Sequence, residues 1–229
     1  MATKIDWCDT VWNPVWGCSY GCPFCYARKF TKRFAGQVAR WNGLSKEETE
    51  RLREFKPVWL PKNYERPLRG RVIFVNSMSD LADWELPWIE RVLERIKEEE
   101  GKVFLILTKR PKESLKLLKG KEFPPNLWLG ISATNSKELE ERVRELVKAE
   151  TPNLFVSFEP FLAPWRTPGG EEVKRLKWII FGAQTNPLKL PKLKDLLRAT
   201  EFFESLSIPV WHKDNLKGLG IELKRERPF

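Results

Sequence analysis

Three cysteines crowd into eight residues of this chain, Cys18-Ser-Tyr-Gly-Cys22-Pro-Phe-Cys25. Thiolates at the spacing C-x3-C-x2-C can hold three corners of a four-iron cluster. The fourth iron is then open to chelate a small molecule through an amino and a carboxylate group. Gly17 and Gly21 let the backbone turn tightly around such a group, and Pro23 stiffens the last turn. Phe24, directly before the third cysteine, is placed to lie against a flat ring such as adenine. Cys8 keeps a second chemistry open, since four thiols can also close a structural zinc site or fully ligate a cluster. Zinc frames usually pair two C-x2-C units, whereas here one C-x2-C is preceded by single cysteines at x3 and x9. Disulfides are the least favoured use in a reducing compartment.

Such a loop has to be carried on regular elements. Residues 5–17 read as a short first strand around Thr10–Trp12, ended by Asn13-Pro14. After the loop, Tyr26–Phe34 reads as a helix in which Arg28, Lys29, Lys32 and Arg33 alternate with Phe30 and Phe34. Cations fall on one side and aromatics on the other, as a phosphate-contacting face or simply a solvated one requires. Residues 36–70 lack strand patterning. Ser45-Lys-Glu-Glu48 is a capping box that opens a short helix to about Phe55, and a Pro-rich loop follows. The segment reads as an insertion over the mouth of a barrel.

From residue 71 a regular beat appears. Apolar runs at Val72–Asn76, Val103–Leu107, Leu127–Ile131, Leu154–Phe158, Trp178–Gly182 and Pro209–His212 read as buried strands. Amphipathic helices separate most of them: one from Pro87 with Trp88, Ile89, Val92, Leu93 and Ile96 on one face, a short one over 112–119, one capped by Asn135, and one from Pro191 using Leu193, Leu196, Leu197 and Phe203. Apolar strands alternating with amphipathic helices mean a parallel sheet covered by helices. With the first strand this predicts an α/β fold. Its form is a partial (β/α) TIM-like barrel of about six to seven parallel strands in one domain spanning 1–229.

Ligands gather at the carboxyl ends of strands in such folds. The residues there are polar: Asn76-Ser77-Met78-Ser79-Asp80, Thr108-Lys109-Arg110, Ser132-Ala133-Thr134-Asn135, Glu159-Pro160, Ala183-Gln184-Thr185-Asn186 and Lys213-Asp214-Asn215. Caps and turns account for some of them. Lys109, Glu159 and Lys213 are the candidates for catalytic groups. The single histidine, His212, ends a strand and reads first as a buried structural group, with a proton donor or phosphate contact as the sharper alternative. Eleven tryptophans offer the material for a water-excluding mouth.

The charge is unevenly placed. Residues 1–71 hold 14 Lys and Arg against 7 Asp and Glu, whereas 72–229 hold 27 against 24. The cysteine-bearing third therefore carries most of the net charge of +10, which points to a polyanionic partner. No apolar run approaches membrane-spanning length and the start MATKIDW is no signal peptide, so a cytoplasmic protein without a membrane partner is expected. Abundant Lys, Glu and Arg suit a thermophile.

The C-x3-C-x-aromatic-C pattern resembles the signature of the radical-SAM superfamily. More widely, WNPVWGC and GCPFCYA, then RPLRGRVIFVNSMSDL, LTKRP, NLWLGIS, FVSFEP and PVWHKDNL resemble, in order, the phage Gp37/Gp68-like family of radical-SAM-type proteins over most of residues 6–216. The resemblance implies a [4Fe–4S] cluster on Cys18, Cys22 and Cys25, with S-adenosylmethionine (SAM) on its open iron. It implies a radical-SAM type of partial barrel, with NSMSD in place of the Gly-Gly-Glu turn that holds the SAM amino group. On that mapping Asn76, Ser77 and Asp80 bind SAM, Ser132 approaches its ribose or carboxylate, and Lys109 or Glu159 lines the site. A reductant such as ferredoxin or flavodoxin is implied too. This chain has Ala82-Asp83 where many relatives carry Phe-His, and its sixth strand, counting the one at Thr10–Trp12 as the first, ends in GAQTN rather than a Gly-Gly-Glu-Ser-like turn. Three functions stay open: radical chemistry on DNA or RNA, radical chemistry on a small metabolite or peptide, and non-enzymatic nucleic-acid binding with a structural metal.

Overall fold

A computed structural model describes residues 5–185 and 187–229. The first four residues of the polar start, and Asn186 among the polar strand ends, lie outside the described residues. Along the chain come β1 (Thr10–Val11), β2 (Val15–Trp16), α1 (Tyr26–Asn42), α2 (Lys46–Arg53), β3 (Val58–Trp59), α3 (Pro61–Glu65), β4 (Val72–Phe74), α4 (Leu86–Glu98) and β5 (Val103–Thr108). Then follow α5 (Pro111–Leu118), β6 (Leu127–Ala133), α6 (Ser136–Leu146), β7 (Leu154–Phe158), β8 (Trp178–Phe181), β9 (Gln184–Thr185), β10 (Leu188–Lys189), α7 (Leu193–Ser205) and β11 (Val210–His212). Among the described residues no helix is long and apolar enough to cross a membrane.

The chain forms two compact units, Met1–Ile106 with Leu117–Leu127, and Leu107–Lys116 with Trp128–Phe229. The class is mixed α/β. Seven strands are parallel, ordered β1-β4-β5 in the first unit and β6-β7-β8-β11 in the second. They are the first strand and the six apolar runs of the sequence. Every residue of β4, β6, β7, β8 and β11 is buried, which is why these runs do not alternate apolar with polar.

Helix faces follow the same logic. α4 buries Ile89, Val92, Leu93 and Ile96, an i, i+3, i+4, i+7 stripe. α6 starts where the Asn135 side chain accepts the Glu138 N–H and buries Leu139, Val143 and Leu146. α7 departs from expectation. Its inward stripe is Leu196, Ala199, Thr200 and Phe203, while Leu193 and Leu197 are exposed. Small and hydroxyl residues complete the stripe there, and the two leucines fall on its flank.

The segment 36–70 is more structured than its patterning suggests. α1 runs two turns beyond Phe34 because Ala35 and Ala39 keep its buried side slim. β3 pairs antiparallel with β2, so the segment does contain a strand. Its Ala39, Leu52, Phe55, Val58 and Leu60 form one core cluster with Trp16, Ala27, Ala35 and Met78, and Cys18 and Cys25 lie against it. The tryptophans differ from expectation as well. Eight of the eleven are buried in the core and so fill it instead of lining a mouth, as large apolar rings do when the surrounding elements can enclose them.

Candidate functional site

The cysteine loop is pinned at both ends. Gly17, leaving β2, has φ +114°, and a Cβ there would lie 2.2 Å from the Lys56 carbonyl oxygen. Only glycine fits both the conformation and the space. Gly17 N–H donates to Met78 O at 3.0 Å and Cys18 N–H to Phe55 O at 2.9 Å. At the far end Cys25 is the N-cap of α1, its sulfur accepting the Arg28 N–H at 3.3 Å. The Cys18 sulfur accepts the Tyr20 N–H at 3.4 Å, and the Cys25 N–H donates to Cys22 O at 3.2 Å. Phe24 is half-buried on the same loop.

All four cysteines are present as thiols and not as disulfides. Among the described residues no group of three or more His, Cys, Asp or Glu side chains is gathered to hold a metal ion. As a donor set the loop nonetheless fits an iron–sulfur group in kind. It offers three half-exposed thiols on eight residues, with backbone N–H groups directed at two of the sulfurs, the type of bond that tunes such clusters. Cys8 stands apart from the loop. It is buried before β1, its thiol directed to Ile5 O at 3.6 Å.

The segment after β4 is built against this loop. Tyr26 Oη donates to Ser77 O at 2.5 Å. Gly17 and Ser79 form a parallel bridge. The Asn13 amide exchanges hydrogen bonds with Ser77 Oγ at 3.0 and 3.1 Å, and its Oδ1 also accepts the Met78 N–H at 3.1 Å. Asp80 is buried and caps the turn Leu81–Asp83 by accepting the Ala82 N–H at 3.0 Å. Asp83 then reaches back, accepting the Ser19 N–H at 2.9 Å and the Ser19 hydroxyl at 2.6 Å. Asn76 is buried in the same segment. The segment that carries Asn76, Ser77 and Asp80 is thus tied to the cysteine loop within one unit. Asn13 and Asp83 were not legible as part of the site. Asn13 read only as a strand end, and Asp83 only as a departure from the family pattern.

The second unit gathers its own candidates. Lys109 Nζ donates to Ser132 Oγ at 2.8 Å, and Ser132 Oγ to the Glu159 carbonyl at 3.3 Å. The Glu159 carboxylate pairs with Lys213 Nζ at 2.5 Å and accepts from Asn215 Nδ2 at 3.5 Å. Gly182 makes room for the pair, because a Cβ there would lie 2.8 Å from Cδ of both Glu159 and Lys213. Lys109, Ser132, Glu159 and Lys213 come from four strand ends into one half-buried network. Asn215 is the added member; its amide also bonds both backbone groups of Ala183, at 2.9 and 3.0 Å.

His212 is not in that network. It is buried, with Nε2 2.9 Å from Thr200 Oγ1 and Nδ1 accepting the Lys224 N–H at 3.4 Å. Burial, helped by the Lys224 charge, lowers its pKa from 6.5 to about 4. It is a neutral structural group at ordinary pH, with the proton on Nε2.

Of the five cations of α1, the four singled out in the sequence divide. The Arg28 guanidinium turns back to the Cys18 carbonyl at 3.3 Å and lies 5.0 Å over the Phe55 ring, so it braces the loop. Lys29, Lys32 and Arg33 are exposed.

No curated protein and no solved structure matches the chain. A family model described as Protein of unknown function (DUF5131) matches residues 2–201. That span covers most of the sequence and leaves out His212, Lys213 and Asn215 among the site residues described above, so the chain belongs to the DUF5131 family.

Proposed function

We propose that this protein is a radical-SAM iron–sulfur enzyme of the phage Gp37/Gp68-like type, with a partial-barrel frame, acting in the cytoplasm on a nucleic acid. The observation that supports this reading best is the cysteine loop itself: three thiols on eight residues, held at Gly17, Ser19 and Tyr26 by the segment that carries Asn76, Ser77 and Asp80. Cys18, Cys22 and Cys25 are the ligands for a [4Fe–4S] cluster. Such a cluster would supply the one-electron reduction by which SAM is cleaved to start radical chemistry on the substrate, with a ferredoxin or flavodoxin as the electron source.

The chain's own residues bind and orient. Asn76, Ser77 and Asp80 offer amide, hydroxyl and carboxylate groups to the amino end of SAM, and Phe24 a ring face to its adenine. Asp83 and Arg28 keep the loop in shape. In the second unit, Ser132 offers a hydroxyl that Lys109 holds in place. Lys109, Glu159 and Lys213 supply an ammonium–carboxylate set able to hold a polar substrate group or pass a proton. Lys29, Lys32 and Arg33 give the first unit its anion-facing surface.

The test is anaerobic reconstitution with iron and sulfide, then addition of dithionite and SAM with and without DNA or RNA. Brown protein that forms 5′-deoxyadenosine is expected, with Cys22→Ser losing iron and Cys8→Ser retaining it. Colourless protein containing zinc would overturn the reading.

A further inference from the structure

The helix that begins at Cys25 presents one long surface that the cysteine loop does not explain. Tyr26, Lys29, Phe30, Arg33, Arg40 and Trp41 recur at offsets 0, 3, 4, 7, 14 and 15, so they fall on a single side of α1. All six are exposed. Tyr26, Phe30 and Trp41 are 52%, 46% and 64% exposed, high values for large rings. The opposite side holds Ala27, Thr31, Ala35, Ala39 and Asn42 and is buried. α1 contains no acidic residue.

Two of the rings are set in fixed orientation. Tyr26 is held through its hydroxyl on Ser77 O, and Phe30 lies between Trp16, at 5.9 Å, and Phe34, at 4.4 Å. Trp41 has the Lys62 ammonium 5.4 Å from its centroid, adding a cation from α3 at the far end. Three rings and three cations thus share one side over about 22 Å of helix.

We infer that this face of α1 is a track for single-stranded nucleic acid, with unpaired bases stacking on Tyr26, Phe30 and Trp41 and phosphates on Lys29, Arg33 and Arg40, leading to the cysteine loop. The inference rests on the nucleic-acid part of the proposed function and narrows its substrate class. Stacking needs a base with a free face, which a duplex does not offer along a helix surface. An acidic protein partner would use the cations but would not need rings spaced between them.

The test is fluorescence anisotropy of a short labelled oligothymidylate against the full chain over a salt series, beside a duplex of equal length. The single strand is expected to bind more tightly than the duplex. Trp41→Ala should weaken binding about tenfold. Arg33→Ala with Arg40→Ala should lower the log–log salt slope by about 0.7 per arginine. These positions are exposed, and a thermal midpoint measured on each variant separates lost binding from lost folding. Full affinity in Trp41→Ala, or a duplex bound as tightly as the single strand, would overturn the track. Iron content and 5′-deoxyadenosine formation are read on the same preparations. Protein that makes 5′-deoxyadenosine but binds no oligonucleotide removes the track and leaves the cluster reading standing. Protein that binds the single strand but holds no iron does the reverse.

Discussion

Asp83 accepts two hydrogen bonds from Ser19 and so ties the middle of the cysteine loop to a turn 64 residues away. Its neighbour Asp80 is occupied in capping that same turn. Without the Asp83 carboxylate the loop loses both of these hydrogen bonds to the turn and is freer to release a bound group. Asp83→Ala should therefore lose iron to a chelator several times faster than the wild-type protein. Asp83→Asn, which keeps one acceptor, should fall between the two; release rates followed by absorbance check this. His212 makes a different prediction. Its folded pKa of about 4 lies below the 6.5 of the unfolded chain, so the unfolded form takes up the proton first. Stability present above pH 6.5 is lost as pH falls toward 4, by up to roughly 3 kcal/mol. Denaturant midpoints across that window should fall for the wild-type protein and fall less for His212→Gln.

At the scale of elements, the two groups of candidates are shaped by close approaches of backbone and side chain. Gly182 at the end of β8 lies under the Glu159–Lys213 pair. Gly182→Ala should push the pair apart and lower activity while leaving the iron content unchanged, which metal analysis beside a 5′-deoxyadenosine assay would separate. α2 shows the complementary case of a purely local determinant. Ser45 Oγ accepts the Glu48 N–H and the Glu48 carboxylate accepts the Ser45 N–H. Ser45→Ala should cost about 1 kcal/mol in unfolding free energy, with little effect on the site because both groups are exposed.

Over the whole molecule, β1 and β11 are each covered by a later segment of the chain. β1 receives the Arg66 guanidinium on its Val11 carbonyl, while Thr10 Oγ1 donates to Arg69 O at 2.6 Å. β11 is flanked by residues 224–226: His212 N–H donates to Lys224 O at 2.9 Å and Glu226 N–H to Val210 O at 3.1 Å. The Trp211 ring lies under the Arg225 and Arg227 guanidinium groups, 4.9 and 4.8 Å from its centroid. Covered edges resist pairing with other chains. Removing residues 222–229 should expose β11 and Trp211, lower the thermal midpoint and promote aggregation, as light scattering would report.

The sequence by itself determined the seven parallel strands, most of the helices and the cysteine loop. Buried parallel strands must be continuously apolar, helix faces must repeat at 3.6 residues, and a C-x3-C-x2-C loop with flanking glycines depends only on neighbours in the chain. Tertiary structure decided what surrounds that loop. Asn13, Asp83 and Tyr26 acquire their roles through hydrogen bonds between segments 51 to 64 residues apart, which no local pattern encodes. It also decided that 36–70 builds the core beneath the cysteines, that most tryptophans fill the interior, and that α1 runs on to Trp41 to complete its exposed stripe. Each of these depends on which surfaces meet, and that is fixed only when the chain closes on itself.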